Sequence, residues 1–324
     1  MVENCEKHKN YKQKTKTLKF LVERSQTKEC IIIHMEELHK PVLLTEVLEA
    51  LNPQSGESYL DLTAGYAGHA SKILDVTRNY KDSVLVDRDE NAVRCLSEKF
   101  GSAITIMNTD FYSAVLQLIE CGKTFDLVLA DFGVSSPQLD MEERGFSFSK
   151  DGPLDMRMDR RQELTADEIV NHWSEKRLAE IFVKYGEEKP GRAKMLAREI
   201  VHQRPVKGTK ALADIIVSKS RYSKTHPATQ IFQAIRIVVN NELEEIEKTL
   251  ELLPKILNPG GRVALITFHS LEDRLVKEYF KEASEYGEES EFKILNKKPI
   301  VAEKSELVIN PRSRSAKLRA AERI

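Results

Sequence analysis

Short apolar runs alternate with helical patterns through the first half of the chain. Four runs of strand length, rich in aliphatic and aromatic residues, lie at 59–62, 83–86, 103–107 and 125–130. Apolar residues recur at helical spacing in segments that precede or separate these runs, at 42–51, 70–76 and 90–100. Strands that alternate with helices are typical of βαβ units. The pattern therefore predicts an α/β domain with a parallel, doubly wound sheet.

The pattern changes after residue 131. Two stretches rich in Gly, Ser and Pro, 132–140 and 145–157, are loops by composition. Four helical patterns without an intervening strand follow, at 166–172, 175–185, 191–202 and 210–220. We therefore predict a helical domain inserted after the fourth strand. Beyond it, the spacing predicts one long helix over 225–253, a fifth strand over 262–268, and a helix from 271 with Ser270 as its N-cap.

These patterns divide the chain into three regions. Residues 1–34 are rich in lysine with little periodicity, and we interpret them as a basic, disordered extension. Residues 35–138 and 226–324 form the α/β domain, and residues 139–225 form the inserted helical domain, which we expect to recognise the substrate. Because Met35 directly precedes the first clear element, it is a hypothetical native start.

The first strand leads into a turn of small residues, D-L-T-A-G-Y-A-G-H at 61–69. Gly65 and Gly68 let the backbone approach a ligand closely, and a strand, a turn and a helix N-terminus together form a nucleotide-type pocket. The second strand ends in Asp87, about 20 residues later, where doubly wound sheets place a carboxylate for ribose hydroxyls. The fourth ends in Asp131. The sequence thus predicts a ligand site at the carboxyl ends of the strands.

Composition narrows the class of protein only slightly. The 324 residues carry 50 basic and 51 acidic side chains, so any nucleic-acid surface must be local. The 4 cysteines show no C-x-x-C spacing, which indicates neither a zinc site nor a disulfide framework and fits a reducing, cytoplasmic compartment. No metal site is predicted. No apolar run approaches the roughly 18 residues of a membrane span. The last residues, 310–324, interleave basic and hydroxyl side chains, which suits either phosphate contacts or a solvated tail.

Six stretches, in order, resemble one known family. They are the turn at 61–69, A-D-F-G-V-S-S-P-Q-L-D at 130–140, R-G-F-S-F-S-K-D-G-P-L-D-M-R-M at 144–158, H-P-A-T-Q-I-F-Q-A-I-R-I at 226–237, F-H-S-L-E-D-R at 268–274 and N-P-R-S-R-S-A-K-L-R at 310–319. Together they resemble the MraW/RsmH family of bacterial 16S ribosomal RNA (cytosine-N4)-methyltransferases. The resemblance covers the chain from about His39 to its end.

The resemblance implies a class I S-adenosylmethionine-dependent methyltransferase (Rossmann-like) fold with an inserted helical domain. The implied reaction is methylation of the exocyclic N4 amine of a cytosine in the decoding region of 16S ribosomal RNA, within the small ribosomal subunit. The implied S-adenosylmethionine contacts are Ala67, Gly68, His69, Asp87, Phe111, Asp131 and Gln138. The family usually has a second glycine where Ala67 stands. A positive φ there would cost on the order of 1 kcal/mol.

The reacting groups and the RNA contacts are less sharply indicated. Asp131, Ser135 and Ser136 are candidates to interact with the N4 amine, and for Asp131 the amino group of the cofactor is the favoured partner. Phe146 and Phe148 either stack on a flipped base or pack beneath the inserted domain. Basic candidates for RNA contacts are Arg144, Arg157, Arg160, Arg312 and Arg314.

Three rival readings remain open. A nicotinamide-dependent oxidoreductase shares the sheet and the acid after strand two, but no G-x-G-x-x-G follows strand one. A non-enzymatic ribosome-assembly factor could retain a vestigial pocket. A methyltransferase acting on DNA or a small molecule is the third. The sequence does not decide whether the protein is a homodimer, or whether naked RNA or an assembled subunit is its substrate.

Overall fold

A single mixed sheet organises the computed structural model, which describes residues 41–220, 226–285 and 290–324. Its strand order is β3-β2-β1-β4-β5-β7-β6. The strands are β1 Tyr59–Asp61, β2 Val84–Val86, β3 Thr105–Met107, β4 Phe125–Asp131, β5 Leu257–Thr267, β6 Phe292–Ile294 and β7 Lys317–Arg323. Strands β1 to β5 pair in parallel, whereas β7 runs antiparallel to β5 and β6.

Helices cover both faces of this sheet. Those of the first half are α1 Leu44–Leu51, α2 Gly68–Thr77, α3 Glu90–Phe100, α4 Phe111–Glu120 and α5 Ser136–Asp140. The helical region contains α6 Ala166–His172, α7 Glu175–Lys184, α8 Pro190–His202 and α9 Gly208–Ser218. The chain then forms α10 Ala228–Asn240, α11 Glu242–Leu250, α12 Leu253–Ile256, α13 Ser270–Ser284 and α14 Lys304–Ile309.

The alternation of side chains along each strand builds two separate cores. On β4, Val128 and Ala130 point to a cluster that includes residues of α4, α11 and α13. Leu127 and Leu129 point to the opposite cluster, with residues of α1, α2 and α3. Because successive residues of a strand face opposite sides, a strand buried on both faces must be apolar throughout. The near-continuous apolar runs in the sequence follow from this double burial.

The helical region has a third core of its own. Buried residues of α6 to α9, among them Leu178, Phe182 and Leu196, pack together with Phe146 and Trp173. The same cluster contains residues of α10 as far as Val239. The apolar core of the helical region therefore extends beyond residue 225, where the sequence pattern had placed its limit.

Two predictions about the second half of the chain are wrong. The long helix predicted over 225–253 breaks at Asn241, which has φ 51° and separates α10 from α11. Left-handed backbone ends a helix, and Asn tolerates it better than most residues. The solvated alternative for the basic tail is wrong for residues 317–323, which form β7 with Arg319 bonded to Asp273 at 2.8 Å, whereas Arg312 and Arg314 precede that strand on an exposed turn.

The proposed basic extension at 1–34 and the hypothetical start at Met35 lie outside the described residues. Within the described ranges, none of the helices is both long enough and apolar enough to cross a lipid bilayer.

Candidate active site

The carboxyl ends of β1, β2 and β4 are tied together by hydrogen bonds. The amide of Gly65 donates to Asp87 Oδ2 at 2.8 Å, which joins the turn after β1 to the end of β2. The amide of Asp131 donates to Thr63 Oγ1 at 2.6 Å, which joins the same turn to the end of β4. The sequence prediction that these residues share one edge of the sheet is therefore met by the geometry.

The turn after β1 contains a strained residue. Ala67 is the N-cap of α2 and has φ 66°, in the left-handed region. Its amide donates to the carbonyl of Ala64 at 2.8 Å, which closes the turn. An L-residue with a Cβ pays a steric cost of roughly 1–2 kcal/mol in this conformation. Alanine in this conformation thus stores strain beside the helix N-terminus.

Three aspartates end adjacent strands and are poorly solvated. Burial raises the pKa of Asp61 to about 7, although the Tyr59 hydroxyl donates to it at 2.6 Å. Burial likewise raises the pKa of Asp87 to about 6, against the opposing effect of the amides of Asp89 and Gly65. Burial raises the pKa of Asp131 well above its usual range, with Asp61 and then Glu272 adding to the effect. Such an edge attracts positive charge.

Of these three aspartates, Asp131 has the most unused hydrogen-bonding capacity. Its Oδ1 atom is buried, and among the described residues no donor reaches it. Its Oδ2 atom lies 3.9 Å from Nδ1 of His69, whose Nε2 lies 2.9 Å from the carbonyl of Val42. A buried acceptor without a donor is costly unless a ligand supplies one. This edge fits S-adenosylmethionine, which brings a sulfonium, an ammonium group and a ribose diol.

Phe111 lies beside the two acid-bearing strand ends. It is the first residue of α4, and its ring centroid is 5.6 Å from that of Phe132, which follows Asp131. The guanidinium of Arg88, which follows Asp87, lies 5.5 Å from the centre of the Phe111 ring. Arg88 is itself paired with Glu245 of α11. Phe111 therefore offers a half-buried aromatic surface between β2 and β4.

The loop after β4 is held by a capping box. The amide of Ser135 donates to Gln138 Oε1 at 3.0 Å, and the amide of Gln138 donates to Ser135 Oγ at 3.4 Å. The side-chain amide of the buried Gln138 donates to Asp89 Oδ2 at 3.0 Å. Ser135 thus acts first as the N-cap of α5, and Ser136, the first residue of that helix, is half-buried.

Two of the predicted RNA contacts are in the interior of the protein. Arg144 is 2% exposed and donates to Asp89 Oδ2 at 2.6 Å and to two backbone carbonyls. Phe146 is buried in the helical core. Phe148 is half-buried, stacked on His226 with ring centroids 4.4 Å apart. The structure contradicts a surface role for Arg144 and Phe146, because a hydrogen-bonded guanidinium and a core ring leave nothing for RNA to contact.

The other basic candidates divide by exposure. Arg157 is held by Asp155, with Nε donating to Oδ1 at 2.8 Å, and is mainly structural. Arg160 has an Nη2 donor 3.3 Å from a backbone carbonyl. Arg312 and Arg314 are exposed on the 3₁₀ turn before β7, and Arg312 donates to Asp140 at 2.6 Å. That contact places the basic turn beside α5 and the capped loop.

Two features at this edge escaped the sequence analysis. The sequence analysis treated Asp61 only as part of a strand. Asp61 lies at the carboxyl end of β1, just as Asp87 and Asp131 lie at the carboxyl ends of β2 and β4. This shared position is the signal that could have identified it. Asp89 was also missed. It caps α3 by accepting from the amide of Asn91 at 3.0 Å, and it lies two residues beyond Asp87.

A buried polar network lies beyond the end of β5. His269, and not Ser270, is the N-cap of α13, and its Nδ1 accepts from the amide of Glu272 at 3.4 Å. Donor atoms of Glu242, His269 and Glu272 lie within 4.8 Å of one another. However, because Nδ1 accepts a hydrogen bond, the neutral ring carries its hydrogen on Nε2, which then cannot act as a metal ligand. Both oxygens of Glu242 are bonded by Arg236, at 2.9 and 2.8 Å. We therefore assign this network to helix capping rather than to a metal.

The fold and this edge define a class of protein. Five parallel strands in the order 3-2-1-4-5, with an antiparallel β7 between β5 and β6, form the sheet of class I methyltransferases. One buried acid lies at the carboxyl end of each of β1, β2 and β4, the edge at which open α/β sheets bind ligands. The protein is a class I S-adenosylmethionine-dependent methyltransferase.

Comparison with known proteins gives the family. The model of the MraW methylase family matches residues 36–324. A ribosomal RNA small subunit methyltransferase H from Trichormus variabilis is 47% identical over 292 residues, covering 88% of this chain and 92% of the relative. The enzyme of the same name from Acidobacterium capsulatum is 44% identical, covering 89% and 99%. The chain belongs to the MraW methylase family, as the sequence resemblance predicted.

Proposed function

We propose that this protein methylates the exocyclic N4 amine of a cytosine in the decoding region of 16S ribosomal RNA, with S-adenosylmethionine as methyl donor. The observation that carries the proposal is the group of three aspartates, Asp61, Asp87 and Asp131, at one edge of a methyltransferase sheet. The names of the relatives support ribosomal RNA as substrate. Such a substrate places the protein in the cytoplasm, on the small ribosomal subunit.

Different residues of this edge would bind different parts of the cofactor. Asp87 is placed to accept from the ribose hydroxyls, and Phe111 offers its ring to the adenine. Ala67, Gly68 and His69 form the turn and helix start against which the methionine part would lie. Gln138 acts through Asp89 and the capped loop. Bound S-adenosylmethionine supplies an electrophilic methyl group on its sulfonium.

The chemical task of the protein is alignment. The N4 lone pair of cytosine is delocalised into the ring, so the amine is a weak nucleophile. Attack forms the N–C bond as the S–C bond breaks, and one N4 proton must then leave. The free Oδ1 of Asp131 and the carbonyls of the loop 132–136 are acceptors that can orient the amine and withdraw N–H density. Ser135 is already committed to its helix cap, which leaves Ser136 as the hydroxyl candidate.

The helical region supplies a surface for a large polyanion. Its own core supports the proposal that it is an inserted substrate-recognition domain. Lys194 of α8 and Lys207 and Lys210 at the start of α9 are exposed. Arg312 and Arg314 add positive charge beside α5. Exposed basic side chains of this kind contact phosphates and orient a nucleic acid without reading its sequence.

A label-transfer assay tests the proposal. Small subunits from a strain that lacks this gene would be incubated with the protein and labelled S-adenosylmethionine, and the nucleosides of the digested RNA would be identified by mass. We expect the label in N4-methylcytidine from a single position of the 16S RNA. Label in another nucleoside, or in RNA outside the decoding region, would reject the proposed acceptor.

Cofactor binding is tested separately by calorimetry. We expect Asp87→Ala to weaken S-adenosylmethionine binding sharply while the fold remains intact. Asp75→Ala is the matched control, because Asp75 is an exposed aspartate on α2 that pairs only loosely with Lys72 at 3.9 Å. Equal affinity of the two variants would discard the ribose role. Binding without methyl transfer to any RNA would instead favour a non-enzymatic assembly factor.

A further inference from the structure

One buried carboxylate oxygen joins three segments around the site. Asp89 Oδ2 accepts from Gln138 Nε2 at 3.0 Å and from Arg144 Nη1 at 2.6 Å. Asp89, Gln138 and Arg144 are 5%, 5% and 2% exposed. Asp89 lies in the loop after β2, Gln138 in α5 after β4, and Arg144 in the segment that leads to the helical region. Because the pair is desolvated, its geometry is enforced more strongly than that of an exposed ion pair.

The contacts continue on both sides of this oxygen. Toward the cofactor edge, the amide of Asp89 donates to Asp87 Oδ1 at 2.8 Å. Toward the helical region, Arg144 Nη2 donates to the carbonyls of Arg157 and Met158, each at 3.0 Å. The amide of Met158 in turn donates to Asn240 Oδ1 at 2.7 Å. A continuous path of hydrogen bonds therefore runs from the proposed ribose acid to the end of α10.

The loop that carries the candidate acceptors depends on the same oxygen. Gln138 uses its Nε2 on Asp89 and its Oε1 on the amide of Ser135. The loop 132–136, between Asp131 and α5, is thus anchored to β4 at one end and to Asp89 at the other. A shift of Asp89 would move this loop relative to Asp87.

We infer that Asp89 and Arg144 are a positioning pair for methyl transfer, which sets the acceptor loop at its distance from the bound cofactor. The inference rests on the proposed function and adds residues to its machinery. Neither side chain is assigned a contact with cofactor or RNA. Misplacement of reacting groups by about 1 Å costs roughly 100-fold in rate, even when the altered residue is remote from the chemistry.

The test compares Arg144→Lys with a matched control. Lysine keeps the positive charge but cannot donate to Asp89 and to two carbonyls at once. The control is Arg262→Lys, because Arg262 also bonds a carboxylate, Glu57 at 2.7 Å, and two backbone carbonyls, yet lies at the opposite end of the sheet. Rates are measured on small subunits at a temperature where near-ultraviolet circular dichroism shows every variant folded.

We expect Arg144→Lys to lower kcat by roughly 100-fold while KM for S-adenosylmethionine changes by less than about threefold. Arg262→Lys should lose thermal stability with kcat unchanged. If Arg144→Lys also loses only stability, the pair is merely structural and the inference fails. Asp89→Asn keeps the shape of the side chain but replaces one carboxylate oxygen by an amide nitrogen. It is a second test of the pair and should lower kcat as Arg144→Lys does. The wild-type protein is assayed before any variant. If it does not transfer label, the proposed function fails, and this outcome is distinct from a failure of the inference about the pair.

Discussion

Two aspartates near opposite ends of β4 differ in how well their carboxylates are satisfied by hydrogen bonds. At the start, Asp126 accepts from the amide and hydroxyl of Ser58 at 2.9 and 2.8 Å, and from Asn258 at 2.8 Å. These bonds outweigh desolvation and lower the pKa of Asp126. At the other end, Asp131 keeps a buried oxygen without a donor and a raised pKa.

This difference shows at which end of the sheet the protein tolerates polar groups in an energetically unfavourable arrangement. Hydrogen bonds to a charged group stabilise a fold, whereas a buried acceptor without a partner destabilises it. The carboxyl end of the sheet carries several costs of different kinds: the desolvation of Asp61 and Asp87, the unpartnered Oδ1 of Asp131 and the left-handed backbone of Ala67. Unfavourable arrangements at one edge and satisfied hydrogen bonds at the other fit a preorganised ligand site at the first edge.

Replacement of Asp131 should have the largest effect. We expect Asp131→Asn to lower the rate of methyl transfer by about 10²–10³-fold, because one of the two acceptor oxygens proposed to orient the amine is replaced by a donor. The same change should leave the cofactor-free protein at least as stable at pH 8, since an amide carries no buried charge. Initial rates and thermal unfolding measure the two effects, and near-normal activity would remove Asp131 from the site.

Replacement of Asp126 should do the reverse. We expect Asp126→Asn to lower the free energy of unfolding by about 1.5–3 kcal/mol, because charge-assisted bonds to Ser58 are weakened. The affinity for S-adenosylmethionine should not change. Denaturant unfolding and calorimetry provide the measurements. A large loss of affinity would show that the two ends of β4 are not independent.

The stability of the cofactor-free protein should depend on pH in a defined direction. The pKa values of Asp61 and Asp87 are raised in the folded state, to about 7 and about 6, so the folded protein binds more protons than the unfolded chain above pH 4. Stability is therefore greatest at low pH within this window and is lost as the pH rises through the folded pKa values.

Between pH 5 and pH 7.5 we expect a fall of roughly 4 kcal/mol in the free energy of unfolding, of which Asp61 contributes the larger part. The lowered pKa of Asp126 acts only below about pH 4 and leaves this window unaffected. Asp61→Asn should flatten the profile, and bound S-adenosylmethionine should reduce it by favouring the charged acids. A rise in stability over the same range would contradict the assignment.

Ala67 should give the smallest effect. We expect Ala67→Gly to raise the free energy of unfolding by up to about 1 kcal/mol, because glycine adopts φ 66° without steric cost while losing more chain entropy on folding. Cofactor affinity should stay within about twofold. Denaturant unfolding would detect the change, and a destabilised variant would show that the Cβ of Ala67 contributes more by packing than it costs in strain.

Much of the site was predictable because strand ends and turns are local features. Apolar runs bounded by polar residues located β1, β2 and β4, and the rule that ligands meet parallel strands at their carboxyl ends placed Asp87 and Asp131 together. The helix break at Asn241 was not predicted, since apolar periodicity continues across it. Arg144 was misjudged because a guanidinium in a loop has the same sequence signature whether it faces solvent or a buried carboxylate.

By itself, the sequence determined the α/β class and the family, and it predicted the ligand edge, because hydrophobic periodicity and short motifs act over neighbouring residues. Only the tertiary structure decided that the basic tail is strand β7, that Asp61 joins the acids of the edge, and that Asp89 holds Gln138 and Arg144. Those facts depend on contacts between residues that are far apart in the chain, such as the 55 positions between Asp89 and Arg144. Burial and hydrogen-bond partners arise only when the chain is folded. They decide whether a charged side chain stabilises the fold or keeps an unused binding capacity.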